Sequence, residues 1–288
     1  MLDKLIFYLK VSRPGLWFAT VWLYLLPTGQ MPVWENVPFW LGLLYVTFPL
    51  NFLVYGWNDI VDYKIDQLNP RKDTFWFGAR GTKAQLRRLW FPILVSNVVF
   101  LPYFVYSGGP IILGVFVGLV LINWLYNLPN SGFRSVPPWE LSCQLGYLLI
   151  VPLSIVLNET TPLPWQTYFY LSLFAVQSHL MGEVMDIDPD RKTGRKTTAT
   201  VIGRKNTKLL IIALVSVEAF FLFYYFQEYI FGGMLLIGLL WLILDLWVLF
   251  KEKNYTLGQM KLFAILSNLV AFVSMAYVWY SGCLLQIP

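Results

Sequence analysis

Long apolar runs separated by short polar segments organise this chain: residues 15–28, 39–55, 89–106, 111–128, 141–157, 165–185, 209–226, 230–250 and 262–284. Apolar and polar positions do not alternate within them, and they are too long for strands. The pattern predicts helices that cross a bilayer and excludes a transmembrane barrel. The first run is short, and the expectation is that its lead-in extends it backwards. Residues 1–13 (MLDKLIFYLKVSR) read as an amphipathic helix lying at the membrane interface. No small-residue cleavage site follows a short apolar region, so the first run is expected to be retained.

Composition agrees with the pattern. Of 288 residues, 57% are hydrophobic and 13% charged, against about a quarter charged in an average soluble domain. The few charges are sorted by side. With the N-terminus in the cytoplasm, all 21 Lys and Arg fall before run one or in the loops that follow even-numbered runs. The opposite loops carry Glu35, Glu159 and Glu228 and no base. This is the positive-inside distribution. The net charge of +5 is therefore a signal of topology, and no nucleic-acid partner is expected. An integral, multi-pass protein with a cytoplasmic N-terminus follows, in the cell membrane if the source is a prokaryote. Cys143 and Cys283 fall near opposite faces and are not expected to pair.

The whole chain, 1–288, reads as one domain, with two loops of unusual length at 57–88 and 186–208. Loops of that length are commonly functional. Thr82 with Gln85, and Thr256 with Gln259, fit capping boxes that start helices near the surface. The first long loop contains WNDIVDYKIDQLNPRKD. If the preceding helix continues, Asn58, Asp62 and Asp66 share one face at intervals of four, with Asp59 beside them. The second contains GEVMDIDPDRKTGRK, where Asp186 and Asp190 repeat the interval around Asp188. Pro189 predicts that this helix ends or bends near Asp186. The two acidic ends fall on the same side, which makes a weak internal repeat and predicts two halves facing one cavity.

Carboxylates stacked about 5–6 Å apart repel one another unless a cation lies between them. Oxygen ligands without His or Cys select Mg²⁺, which uses one or two carboxylates together with substrate phosphates. The chain has a single histidine, His179, which argues against zinc. Asp59, Asp62, Asp66, Asp186 and Asp190 are the candidate metal ligands. Arg71, Lys72, Arg80, Arg191, Lys192, Arg195 and Lys196 are placed to meet outer phosphate oxygens. Metal plus bases stabilises a diphosphate leaving group. A diphosphate head with a tail in the bilayer is an isoprenyl diphosphate.

The string Asn58-Asp59-x-x-Asp62-x-x-x-Asp66 resembles the first aspartate motif of the UbiA-type intramembrane prenyltransferases. Asp186-x-x-x-Asp190 followed by KTGRKTTATVIG is similar to their second. Arg13-Pro14, and Tyr126 with Pro129, are also similar. SRPGLW and YGWNDIVDYKIDQLNPRK look most like the carotenoid-elongating branch. The resemblance implies an all-α membrane protein with nine transmembrane helices around a central cavity opening near the cytoplasmic face. It implies catalytic roles for Asp62, Asp66, Asp186 and Asp190, and a diphosphate held by Mg²⁺ with Asn58, Tyr126 and the bases. The donor ionises to an allylic cation, a hydrophobic acceptor attacks it, and a base removes a proton. Relatives often have a lysine shortly after the tyrosine. Here Asn130 stands near that place, and Arg134 is the nearest base.

Three rival classes are open to tests of different kinds. A CDP-alcohol phosphotransferase should show D-G-x-x-A-R, which is absent. A cation transporter should place its acids at mid-membrane. A terpene cyclase on the same scaffold would ionise the same donor and needs no acceptor. Trp57, Tyr55, Tyr126 and Tyr147 lie at a depth suited to stabilising a cation. His179 is either a hydrogen-bonded interior residue or a base. Glu218 and Asp245 are intramembrane acids, either functional or neutralised by neighbours. Asn51, Asn97, Asn123 and Gln144 are expected to bond between helices, and Asn51 to reach the cavity.

Overall fold

The computed structural model describes residues 2–128 and 132–286, and those residues form helices without a strand. In chain order they are α1 (Leu2–Val11), α2 (Trp17–Leu25), α3 (Val37–Thr47), α4 (Pro49–Val61), α5 (Tyr63–Leu68), α6 (Lys83–Arg87), α7 (Trp90–Val98) and α8 (Leu101–Gly108), then α9 (Ile111–Asn127), α10 (Trp139–Gln144), α11 (Ile150–Asn158), α12 (Trp165–Thr193), α13 (Thr198–Tyr224), α14 (Tyr229–Leu244) and α15 (Leu257–Ser281). Several of these run on, with a break of one or two residues or, between α10 and α11, through a tighter helical stretch of five, Leu145–Leu149. Val37–Val61, Lys83–Gly108 and Trp139–Asn158 each form one long apolar unit. Together with α13, the α14 unit Tyr229–Leu249 and α15, six helices are long and apolar enough to cross a membrane.

The count of nine is not reproduced by length and composition, and each shortfall has a local cause. The backward extension of the first run does not occur. Arg13 adopts a left-handed conformation (φ 52°) that separates α1 from α2, leaving α2 with nine residues. α9 has 17 residues. α12 has 29 but is interrupted by Gln166, Thr167, Ser172, Gln177, Ser178 and His179.

The bundle is apolar on the outside as well as within. Phe91, Leu94 and Val98 on α7, Ile237 and Leu240 on α14, and Leu262, Leu269, Val270 and Phe272 on α15 are exposed. Contiguous exposed apolar surface of this extent is a lipid-facing surface. The protein is an integral, multi-pass membrane protein. Inside, Tyr45 stacks on Phe116 at 5.1 Å and meets Phe104 edge-on at 5.5 Å. Tyr24 donates to the Phe39 carbonyl at 3.1 Å. A Cβ at Gly42 would lie 2.0 Å from the Tyr24 hydroxyl, so only glycine lets α2 and α3 approach here. α15 returns to pack on α2, and Asn268 donates to the Gly15 carbonyl at 2.7 Å.

Buried polar groups tie the helices together. Asn51 donates to Thr20 Oγ1 at 2.8 Å and to the Val46 carbonyl at 2.8 Å. It therefore joins α2 to the α3–α4 break and does not reach a cavity. Asn97 crosses to the Pro49 carbonyl at 3.1 Å. Asn123 and Gln144 bond back to their own helices, to Leu119 and Glu140, where a carbonyl four residues back is always in reach. Asp245 is neutralised by Lys208 at 2.5 Å and by the Tyr255 hydroxyl at 2.7 Å. Glu218 is fully buried with neither oxygen hydrogen-bonded among the described residues. Cys143 and Cys283 are free thiols.

Candidate active site

The two long loops are mostly helix. α4 runs through Asn58 and Asp59 to Val61, and α5 begins one residue later. Asp62 is the hinge between them (φ −85°, ψ 12°). The i→i−4 bonds persist across it, from Asp62 N to Asn58 O at 2.8 Å and from Asp66 N to Asp62 O at 3.0 Å. The acidic residues therefore stay stacked, and Asn58 Nδ2 donates to Asp62 Oδ2 at 2.9 Å. Of the expected end or bend near Asp186, the end does not occur. α12 continues through Pro189 to Thr193, because proline here deprives only the Met185 carbonyl of a partner one turn from the helix end. Gly194 ends the helix instead, in the left-handed conformation (φ 73°).

After four residues α13 starts at a capping box, Thr197 with Thr200. Two acids secure that start. Glu140 Oε1 accepts from Thr198 N at 2.5 Å and from Thr198 Oγ1 at 2.6 Å, and Glu183 Oε2 accepts from Ala199 N at 2.9 Å. Carboxylates at a helix N-terminus satisfy free N–H groups and match the helix dipole. The string TTA after the second acidic motif thus positions α13 against α12. The boxes at Thr82–Gln85 and Thr256–Gln259 are also formed.

Both acidic segments line one polar cavity of about 50 Å³, together with Arg13, Asn58, Ile65, Asn69, Arg71, Lys72, Phe77 and Arg195. Asp62, Asp66, Asp186 and Asp190 all face it. The segments are bridged directly. Arg71 from the loop after α5 pairs with Asp186, and Asn69 Nδ2 donates to Asp186 Oδ1 at 2.9 Å. Arg195 reaches from the α12–α13 connection to Asp62 Oδ2 at 3.0 Å and lies 3.9 Å from Asp190. Arg134 pairs with the other oxygen of Asp62. Lys72 lies 2.6 Å from Asp59 and 2.8 Å from Asp66. Asp188 points elsewhere, toward Arg204 at 3.8 Å.

Several residues picked from the sequence stand outside the cavity lining. Asp59 lies behind it, buried between Arg13 at 2.6 Å and Lys72. Arg80 braces the loop by donating to the Asn69 carbonyl at 2.7 Å. Tyr126 touches the site through its hydroxyl, 3.5 Å from Arg195 Nη2. Arg191 and Lys192 are exposed because α12 stays helical and its last turn directs them to solvent, and Lys196 is exposed in the connection to α13. Trp57 packs edge-on against Trp90 at 5.0 Å, on the α7 side. Pro129 and Asn130 lie outside the described residues. Arg13, Asn69 and Phe77 were not singled out for the site. Arg13 carried a signal in its Arg-Pro pair, and its guanidinium lies 4.5 Å over the Tyr55 ring. The other two lie in a loop whose path no periodicity predicts.

The lining holds four carboxylates and four bases, so it is formally neutral. Among the described residues no three His, Cys, Asp or Glu side chains come close enough together to hold a metal ion. Protein cations are paired with the acids instead. The donor set nevertheless fits Mg²⁺: it is all oxygen, buried Asp59 Oδ2 just behind the lining lacks a hydrogen bond, and Asp66 Oδ2 has the Lys72 ammonium beside it at 2.8 Å, a cation that a metal ion would replace. At about 50 Å³ the cavity has room for a small ion or water and is too small for a diphosphate, so the Arg–Asp pairs must part to admit one.

Burial pushes the carboxyls of Asp66 and Asp190 up to about 7, reinforced by neighbouring acids and opposed by Lys72 and Arg195 respectively. Burial works against the charge of Arg195, but Asp62, Tyr126, Asp190 and Asp186 outweigh it and hold the guanidinium firmly protonated. For both acids the folded pKa lies above the unfolded value. Their contribution to metal-free stability is therefore present at low pH and is lost as pH rises through about 7. A divalent ion needs the deprotonated form. Millimolar Mg²⁺ should accordingly raise the melting temperature more at about pH 8 than at about pH 5.5. An equal or larger rise at the acid pH would remove the metal from these two acids.

The chain is similar to proteins already known. Residues 16–269 match the model of the UbiA prenyltransferase family. A lycopene elongase/hydratase of Corynebacterium glutamicum is 28% identical over 227 residues, covering 76% of this chain and 77% of its own. One of Haloarcula japonica is 28% identical over 266 residues, covering 86% and 85%. A UbiA homolog from Archaeoglobus fulgidus bound to DMAPP and Mg²⁺ superposes with a TM-score of 0.73 at 16% identity, over 94% of this chain and 97% of its own. The same homolog bound to GPP and Mg²⁺ gives 0.69. At that identity the structural likeness is one of fold. The matched family covers most of the chain, including both acidic motifs, and the chain belongs to the UbiA prenyltransferase family.

Proposed function

We propose that this prenyltransferase moves an isoprenyl group from a prenyl diphosphate to a hydrophobic acceptor within the membrane, and that the acceptor is a carotenoid such as lycopene. One observation carries the reading: acids from two distant segments line a single polar cavity at one end of an apolar bundle, with bases interleaved. The acceptor class rests on the lycopene elongase/hydratase relatives, which match most of this chain.

Asp62, Asp66, Asp186 and Asp190 would hold Mg²⁺. When bound, Mg²⁺ supplies the positive charge that seats a diphosphate among acids and stabilises it as it leaves. Arg71, Lys72 and Arg195 exchange their aspartate partners for phosphate oxygens, with Asn58, Arg134 and Arg13 at the margins. Asp59 keeps Arg13 and Lys72 in place from behind. Arg191, Lys192 and Lys196 remain outside this set. The tail extends from the site into the bundle, where aromatic side chains face the allylic cation.

We read the chain as one domain with nine crossings, three of them too short or too polar to stand out by hydropathy. All five basic segments meet the same end of the bundle, through Lys10 with Asp73, Lys72 with Asp66, Arg134 and Arg195 with Asp62, and Lys208 with the Lys251 carbonyl. The sorted charge supports a cytoplasmic location for that end and for the N-terminus. Purified protein given dimethylallyl diphosphate and Mg²⁺ should release diphosphate productively only when lycopene is added, with a heavier carotenoid seen by mass spectrometry. A cyclic terpene from a longer prenyl diphosphate without acceptor would establish the cyclase instead.

A further inference from the structure

His179 has a partner that the sequence did not reveal. Its Nε2 lies 3.2 Å from Glu183 Oε1, one turn along α12. The ring is not aligned for a hydrogen bond as it stands, and among the described residues no other donor reaches that oxygen, so it is free to accept the imidazole N–H. The second oxygen of Glu183 is fixed by the Ala199 N–H at the start of α13. The carboxylate cannot rotate away without uncapping that helix. A fixed carboxylate beside one imidazole nitrogen sets the ring's orientation and leaves the other nitrogen as a lone pair.

The dyad also has a definite place. His179, Glu183, Asp186 and Asp190 follow intervals of four, three and four, so they share one face of α12. Asp186 and Asp190 face the polar cavity. At 1.5 Å per residue, His179 lies about 10 Å further into the membrane along that face. On the transfer reading that depth lies beyond the head of a diphosphate seated among the acids, on the side of its hydrocarbon tail. The imidazole is 19% exposed, and so is open to a ligand. Tyr126 packs against it edge-on, 6.2 Å between centroids, and lies 3.5 Å from Arg195 at the polar cavity. One tyrosine thus spans the distance from the anion site to the imidazole.

We propose that His179, oriented by Glu183, is the base that accepts the proton released when the coupled product is discharged. This rests on the transfer reading above. In that reaction the donor's C–O bond breaks and its electron pair leaves with diphosphate. The acceptor's double bond supplies the pair for the new C–C bond, and a carbocation is left on the acceptor. It becomes an alkene by losing a proton from an adjacent carbon, or an alcohol by adding water that then loses a proton. Either way one proton must leave, and His179 Nδ1 receives it. The imidazolium is held by Glu183. His179 is then a catalytic residue and Glu183 a positioning residue.

The test uses full-length protein in detergent with dimethylallyl diphosphate, lycopene and Mg²⁺. His179→Gln lowers the kcat for coupled product by 10²-fold or more, the scale of general-base catalysis. The KM for the donor and the Mg²⁺-induced rise in melting temperature stay near wild type. Glu183→Gln costs roughly tenfold in kcat, a partial loss consistent with a group that orients the base. Imidazole added at high concentration restores part of the activity of His179→Ala. Activity of His179→Gln within about threefold of wild type overturns the base. So does a loss that appears in donor KM and melting temperature alike, which marks a structural role. Should His179→Gln fail to fold, Glu183→Gln decides, because it keeps the imidazole and the Ala199 contact: unchanged kcat overturns the proposal. A wild-type protein that makes no coupled product removes the transfer reading itself, whereas normal wild-type coupling with an unimpaired His179→Gln removes only the base.

Discussion

Asp62→Ala and Asp190→Ala each abolish Mg²⁺-dependent turnover, with an expected loss on the order of 10²–10³-fold or more. The two come from segments more than a hundred residues apart and face one cavity. Asp62 accepts Arg195, Arg134 and Asn58, so it organises the bases as well as offering oxygens to a metal. Asp190 is 3% exposed and packs near the same Arg195. On the proposed function either change removes a metal ligand, and loss of Asp62 also leaves Arg134 and Arg195 poorly paired. Because an unpaired buried charge also costs stability, Asp62→Asn and Asp190→Asn belong beside the alanines, with melting temperature measured for each. The diagnostic result is lost turnover in a protein that still melts cooperatively. If both alanine variants turn over normally, the metal–diphosphate site is elsewhere.

Arg195→Ala should be nearly as severe, on the order of 10²-fold in kcat/KM with a raised KM for the donor, since it removes a charge-assisted contact to phosphate. Among the described residues Arg195 is the one base that meets both acidic motifs and Tyr126. It is held in place by its Nε bond to the Arg134 carbonyl at 3.3 Å. Arg195→Lys should recover little, because one ammonium cannot reproduce a planar fork. By contrast Arg191→Ala, Lys192→Ala and Lys196→Ala should each stay within about threefold, as expected for exposed charges. Steady-state kinetics on the four variants separates the two groups. Equal losses across all four would mean that a diffuse positive field, and not Arg195, holds the donor.

That contrast marks how far the sequence could be read. The basic residues near the second motif are indistinguishable in sequence: Arg191, Lys192, Arg195 and Lys196 occupy six positions. Which of them turns inward depends on where α12 ends. The reading from Pro189 placed an end or a bend near Asp186, whereas the helix ends at Gly194. A proline near a helix terminus sacrifices one carbonyl, while a glycine followed by a capped helix start offers several bonds. Arg13 was hidden for a related reason. Its approach to Asp59 depends on a left-handed turn at its own backbone, and a non-glycine residue gives no local warning of that conformation. The sequence leaves His179 open as an interior residue or a base, although Glu183 stands four residues on. Only the capping of α13 shows that this glutamate is held in place.

Local spacing and solvent preference were enough to determine the helical membrane class, the sidedness of the charges, and the two acid sets at four-residue intervals. Each depends on neighbours within a turn or on the bilayer as solvent. The tertiary structure alone decided which bases enter the cavity, that Asp59 stands behind it, and that an imidazole and a carboxylate meet above it. Those outcomes depend on helix ends and on contacts between segments far apart in the chain, where a shift of one residue rotates a side chain by about 100° around the helix axis.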